Sequence, residues 1–286
     1  MLHGYFPPHR FLPYLTWTEI SALPEREDTI IVLPVGATEQ HGPHLPCSVD
    51  TVIAAGVMGK ALERLPAEVR AFGLPPISYG KSDEHLHFPG TFTLNGGTLL
   101  ATLTELGESV YRSGFRKLVL ANGHGGQPQV LEMAARELRL RHGDFVIVPI
   151  GVWRVPNVSG KFISEQERRQ SMHAGHSETA MMLALAPETV HMERAAPAFP
   201  PVFPSKILSP DGRPACAWVA RDFGPTGVIG DPTGATREQG EAILDSLATS
   251  WVQALTELHA LRWVQRDQSS WERSHYQGDI QHTLSD

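Results

Sequence analysis

The feature that most constrains this chain is a short apolar run at residues 29–35, read as a buried strand, followed by apolar residues at helical spacing over 51–65. The same alternation returns along the chain. Residues 69–77, 117–121 and 145–150 read as further strands, and 128–141 as a helix. Residues 98–113 form an amphipathic helix closed by Gly114. A helix follows up to Leu185, and a last one of about 25 residues starts at Thr236. Strands alternating with helices at this spacing predict an α/β fold, a three-layer α/β/α sandwich around a mainly parallel sheet. With 286 residues the chain can bury a large core. We expect one domain over residues 1–270 and a polar, disordered tail over 271–286.

The first strand empties into a loop that holds two carboxylates and two imidazoles between positions 39 and 50: Glu39, His41, His44 and Asp50. Oxygen and nitrogen donors of this kind suit zinc, manganese or ferrous iron. One His beside one Glu would read as an exposed polar loop; two of each, just after a buried strand, argue for a metal site. Such a loop lies at a strand's carboxyl end, where α/β sheets place their chemistry. Asp50 falls at the start of helix 51–65, where exposed amides keep a carboxylate ionised, as a ligand must be.

Two more loops carry chemistry. Residues 122–127 set His124 among Gly123, Gly125 and Gly126, and residues 172–179 hold His173, His176 and Glu178. Glu39, His41, Asp50, His124 and Glu178 could together hold two divalent metals if one carboxylate bridges them, with water between them as nucleophile. Other readings stay open here. The glycines around His124 could cradle a phosphate, although they match neither a P-loop nor a dinucleotide fingerprint. Glu178 could cap its helix. His173 and His176, three apart, could share a helix face, one of them a metal neighbour or general acid/base. No Gly-x-Ser-x-Gly elbow is present, and Cys47 reads as a small buried residue ahead of a thiolate nucleophile.

Composition narrows the partners. A formal net charge of −7 without a long Lys/Arg cluster argues against nucleic acid. No apolar run approaches the ~20 residues that span a bilayer. Residues 1–8 lack the basic start and apolar run of a secretory signal, and Cys47 and Cys216 make no disulfide framework, so the cytoplasm is expected. The 14 histidines, several beside Glu, Asp or Gly, fit a metal enzyme.

The sequence resembles the creatininase family. The likeness rests on residues 34–46 with Asp50, on Glu84 and His85 followed by Phe88, Pro89, Gly90 and Thr91, and on residues 122–126. It continues in His173, Ala174 and Gly175 with Glu178 and Thr179, and in residues 227–232, spanning about residues 13–255. It implies a metal-dependent hydrolase of α/β/α build, homohexameric, cleaving a C–N bond of a small cyclic amide or formamide. Carried over residue by residue, it implies Glu39, His41, Asp50 and His124 as ligands to one or two divalent ions, zinc before manganese or iron, with Asp50 the bridge. His173 matches the catalytic histidine, expected to protonate the leaving nitrogen. Glu84 and His85 are expected around the metal site or at an adjacent subunit's rim.

Two departures stand out. Creatininase has a Glu ligand where this chain has Gly126, so the missing carboxylate is assigned to Glu178, which joins His173 as a catalytic residue. Met172 replaces the catalytic Glu before the histidine, and Arg169 stands where creatininase has a substrate-covering Trp. These departures separate the expected hydrolase core from activity on creatinine itself. The rival reading is a metal-binding homologue with a structural or binding role and no catalysis. Substrate choice is expected to lie with residues 151–171 and 196–222.

Overall fold

Strands β1 (Ile30–Val35), β2 (Ala71–Gly73), β3 (Lys117–Asn122) and β4 (Val146–Gly151) pair in parallel in the order β2-β1-β3-β4. This is a computed structural model, and it describes residues 2–201, 205, 207–210 and 215–263. The polar tail expected over 271–286 lies outside the described residues.

Side chains alternate across a strand, and β1 uses both faces. Ile30 and Val32 join Val119 and Ala121 of β3 in a core roofed by helices α2 (Val49–Arg64), α6 (His176–Leu185) and α7 (Arg237–Ala260). Ile31, Leu33 and Val35 join Leu118 and Leu120 in a second core under α3 (Gly96–Arg112) and α4 (Pro128–Arg141). Burying each such side chain is worth about 1.5–3 kcal/mol. A one-residue slip would exchange the two faces, so register is strongly specified. The result is the expected three-layer α/β/α sandwich. The remaining α-helices among the described residues are the short α1 (Trp17–Ala22) and α5 (Glu165–Gln170).

Register places the site. β1 pairs with β3 from Ile30↔Lys117 to Val35↔Asn122, so both strands end level. The loops that follow them therefore leave from adjacent points on one edge.

Local departures from the sequence reading have local causes. The strand expected over 69–77 shortens to β2 because Pro75 and Pro76 offer no N–H to a ladder. The chain touches β1 again through Ile77, whose N–H donates to Pro34 O at 2.9 Å. Helix α3 starts two residues earlier than expected because Asn95 caps it, its side chain accepting from Thr98 N–H at 2.8 Å. Helix α5 lies inside the stretch 151–171, whose charge run gives no clear element in the sequence. Among the described residues, no helix is long and apolar enough to cross a membrane.

Candidate metal centre

The loop after β1 folds back on itself before α2 begins. Glu39 N–H donates to Cys47 O at 3.0 Å, and His41 bridges Leu45. This return brings Glu39 and His41 beside Asp50 in the first turn of α2. From β3, Asn122 holds the backbone of His124 at both ends: its Oδ1 accepts from His124 N–H at 3.0 Å and its Nδ2 donates to His124 O at 2.7 Å. Gly123 lets that loop approach α2, since a Cβ there would stand 2.2 Å from Asp50 O.

The four side chains meet in a buried cluster. His41 Nε2 lies 3.3 Å from Asp50 Oδ1 and 3.9 Å from Glu39 Oε1. His124 Nδ1 lies 3.2 Å from Asp50 Oδ2 and 3.1 Å from Glu39 Oε2. Asp50 thus offers one oxygen to each imidazole. Glu178 shares ligand distance with His41 and His173. Of the five residues expected as ligands, Glu39, His41, Asp50 and His124 meet directly, and Glu178 adjoins them through His41.

Among the described residues, both oxygens of Glu39, Asp50 Oδ2 and His41 Nε2 are buried without a hydrogen-bond partner. Buried charged groups in that state are costly unless a counter-ion meets them. Oxygen and imidazole donors a few ångströms apart are what a divalent cation requires, and the residues fit one. Electrostatics agree. Burial pushes the His41 imidazolium down, but Asp50, with Glu178 and Glu39, outweighs it and lifts it to about 9. His124 is likewise held well above the ordinary value, Glu39 and Asp50 overcoming burial. Burial, with Asp50 and Glu39 close by, raises Glu178 to about 7. Protons occupy this cluster where a cation could replace them.

Other sequence candidates separate. His44 turns away, its Nε2 3.0 Å from Thr179 Oγ1; burial and His41 push it down to about 4. His173 and His176 do not share a helix face, because only His176 lies in α6. His173 sits before that helix, bridged to Ile229. His176 Nε2 faces Gln239 Oε1 at 2.9 Å. Glu178 Oε2 accepts from Ala174 N–H at 2.6 Å, which steadies a residue with a φ of 54°.

Glu84 and His85 enter the cluster itself. His85 Nε2 lies 3.6 Å and His173 Nδ1 3.7 Å from Glu39 Oε1. Glu84 Oε1 lies 3.3 Å from His124 Nε2 and fills the space over Gly126, where a Cβ would stand 1.7 Å from it.

Two residues escaped the sequence reading. Gln40 packs its amide against His85, His173 and Gly227. Glu167 is buried within a charged run that reads as solvated. Its carboxylate accepts from His176 N–H at 2.9 Å and Asp231 N–H at 2.6 Å, tying α5 to the start of α6 and to the loop after Gly230. Neither carries a local signal, because their partners lie far along the chain.

A cavity of about 430 Å³ opens onto the cluster, bordered also by Met172, Trp153 and Trp218. The stretches 151–171 and 196–222 therefore both reach it, with Trp218 edge-on to His85 at 6.5 Å.

The geometry has counterparts in known proteins. A family model described as creatinine amidohydrolase matches residues 13–255. The mycofactocin precursor peptide peptidase of Mycolicibacterium smegmatis is 36% identical over 216 residues, covering 75% of this chain and 79% of that protein. The creatinine amidohydrolase of Pseudomonas putida is 34% identical over 261 residues, covering 86% and 96%. A mutant creatininase of Zn–Zn type superposes with a TM-score of 0.70 at 32% identity, covering 86% of this chain and 97% of that one. A manganese creatininase superposes at 0.69 and 31% identity, covering 87% and 98%. With a match over most of its length and a buried Glu/His/Asp cluster at the sheet edge, the chain belongs to the creatininase family of amidohydrolases.

Proposed function

We propose that Glu39, His41, Asp50, His124 and Glu178 hold one or two divalent ions, zinc before manganese or iron, and that the protein cleaves a C–N bond of a small cyclic amide or formamide. The observation that carries this reading is the group of buried, unpartnered ligand atoms on Glu39, His41 and Asp50 beside a cavity. A divalent ion in such a cradle supplies a water of lowered pKa and polarises a carbonyl oxygen.

The chain's own residues do the rest. Asp50 reaches both imidazoles and spans the two halves of the cradle. His173 presents Nδ1 beside Glu39 Oε1, where it can take a proton from the attacking water and return it to the leaving nitrogen. Glu178, raised to about 7, lines the same wall and can share that proton. Trp153 and Trp218 give the cavity apolar lining against which a substrate can pack. For the assembly we propose a homohexamer, with the family resemblance as its support.

Met172 and Gly126, the two departures from creatininase, keep the rival of a catalytically silent metal-binding homologue in view. The open cavity speaks for catalysis, because structural metal sites are closed by protein ligands while catalytic ones keep a position free. The test pairs elemental analysis with turnover. The purified protein, loaded with zinc or manganese, is given creatinine, N-formyl amines and short peptide amides, and amine release is followed. Bound metal with hydrolysis supports the reading; bound metal inert toward every class supports the rival.

A further inference from the structure

The amide of Gln40 is buried beneath the cluster, and two backbone groups fix its orientation. Its Oε1 accepts from Gly42 N–H at 2.9 Å, and its Nε2 donates to Gly227 O at 3.1 Å. Exchanging the oxygen and nitrogen would set donor against donor and acceptor against acceptor. Gly227 makes room for the amide: with a φ of +76°, it would place a Cβ 2.0 Å from Gln40 Oε1.

Nε2 has two protons and three neighbours: Gly227 O, His85 Nδ1 at 2.8 Å and His173 Nε2 at 3.1 Å. His173 Nε2 also lies 2.7 Å from the backbone carbonyl of Gln40, which can only accept. That nitrogen therefore carries the His173 proton and takes none from the amide. The two amide protons go to Gly227 O and His85 Nδ1. A neutral imidazole that accepts at Nδ1 carries its proton on Nε2.

The two rings, 4.2 Å apart between centroids, thus present opposite chemistry to the same oxygen of Glu39. His173 offers a lone pair at Nδ1, and His85 offers an N–H at Nε2. Although Glu39, His85 and His173 lie within ligand distance of one another, His85 has no lone pair left for a cation.

At 3.6 Å the His85 N–H is not spent on Glu39, whose Oε1 has no hydrogen-bond partner among the described residues, and His85 lines the cavity. We propose that His85 is a catalytic hydrogen-bond donor whose Nε2–H serves the amide oxygen on which charge develops, and that Gln40 is the positioning residue fixing that tautomer. The catalytic part rests on the amidohydrolase reading; the tautomer and the exclusion of His85 from the metal ligands do not.

The test starts from zinc-loaded protein labelled with 15N-histidine. Nitrogen shifts should give His85 a protonated Nε2 and an unprotonated, zinc-free Nδ1, and His173 a protonated Nε2. A proton on His85 Nδ1, or zinc on its Nε2, overturns the proposal. His85→Leu should keep its full zinc content and lose about 10²–10³-fold in kcat on any amide the enzyme cleaves, with KM within a few-fold, as for loss of one oxyanion donor. His85→Gln, able to carry an N–H to the same place, should recover most of that rate. Zinc lost from the leucine variant, or equal rates for both variants, counts against the proposal. Gln40→Glu replaces the donor with an acceptor and should move the His85 proton to Nδ1 in the same spectra; an unmoved proton removes Gln40 from the scheme. If no amide is cleaved, the functional reading falls, while the spectra and zinc content still decide the tautomer.

Discussion

Strand β3 meets buried charge at both ends and treats it in opposite ways. At its start, the Lys117 ammonium donates to His259 O at 2.6 Å and pairs with Asp28 Oδ1 at 3.2 Å. On the same edge Arg10 spends its guanidinium on the carbonyls of Val69, Pro66 and Leu65 at 2.7, 3.1 and 3.3 Å. The unpartnered atoms there, Arg70 Nε and His259 Nε2, are lone nitrogens. Beyond the other end, His124 joins Glu39, His41 and Asp50, where carboxylate oxygens themselves stay unpartnered. A fold that satisfies Lys117 with a backbone carbonyl and the Asp28 carboxylate could have given Glu39 backbone donors. It leaves the carboxylates facing only imidazoles, at the edge where ligands bind α/β sheets. Self-sufficient charge marks structure here, and incomplete charge marks function.

Asp50→Asn should break this contrast most severely. It removes charge from the residue facing both His41 and His124. Metal content by elemental analysis should fall to near zero, and hydrolysis with it; a variant keeping full metal would refute Asp50 as the bridge. Gly126→Ala comes next. Its Cβ would stand 1.7 Å from Glu84 Oε1 and 2.5 Å from His124 Nε2, so the Glu84 carboxylate must leave the ring it faces. Loss of such an outer partner weakens metal binding by about 10–100-fold. Titration calorimetry with zinc would show it, and unchanged affinity would make Glu84 a bystander.

Acidity gives a smaller, graded effect with a definite sign. In the metal-free protein burial lowers His41, but Asp50 lifts it to about 9. Its ion pair therefore stabilises the metal-free fold fully below the unfolded value near 6.5, and that contribution fades as pH rises through about 9. A cation must displace this proton, so zinc affinity should rise about tenfold per pH unit for each proton released between about pH 6 and pH 8. Calorimetry in buffers of different ionisation enthalpy counts those protons. An affinity flat with pH would mean that His41 is not a ligand.

The sheet and the ligand loops were legible because their signals are local. The strand at 29–35 is one apolar run, and Glu39, His41 and Asp50 share one loop. His124 stands out among glycines. Gln40 was invisible between two ligand-like residues, because its role lies in contacts 45, 133 and 187 positions away. Glu167 hid in a charged run for the same reason, its acceptor bonds reaching Asp231, 64 positions on. Glu84 was recognised only as a neighbour of the site; that it fills the space over Gly126 depends on how residues 82–85 pack against the loop after β3. Sequence reveals residue types gathered by short spacing, whereas hydrogen-bond partners gathered by the fold emerge only with the structure.

Lys117→Met sharpens the contrast from the opposite edge and should have the smallest effect on metal. Methionine keeps the apolar stem and removes the ammonium, leaving His259 O with the Arg262 Nη1 donor at 3.1 Å and Asp28 with one cation fewer. Breaking a fully buried pair costs about 3–5 kcal/mol. Here the Asp28 side chain is 22% exposed and keeps Arg262 Nη2 at 2.9 Å, so a loss of about 1–3 kcal/mol is expected. The urea midpoint should fall accordingly, while zinc stoichiometry, zinc affinity and kcat stay at the parent values. If zinc affinity fell together with stability, the two ends of β3 would be coupled, and the open cradle would owe part of its geometry to the closed one.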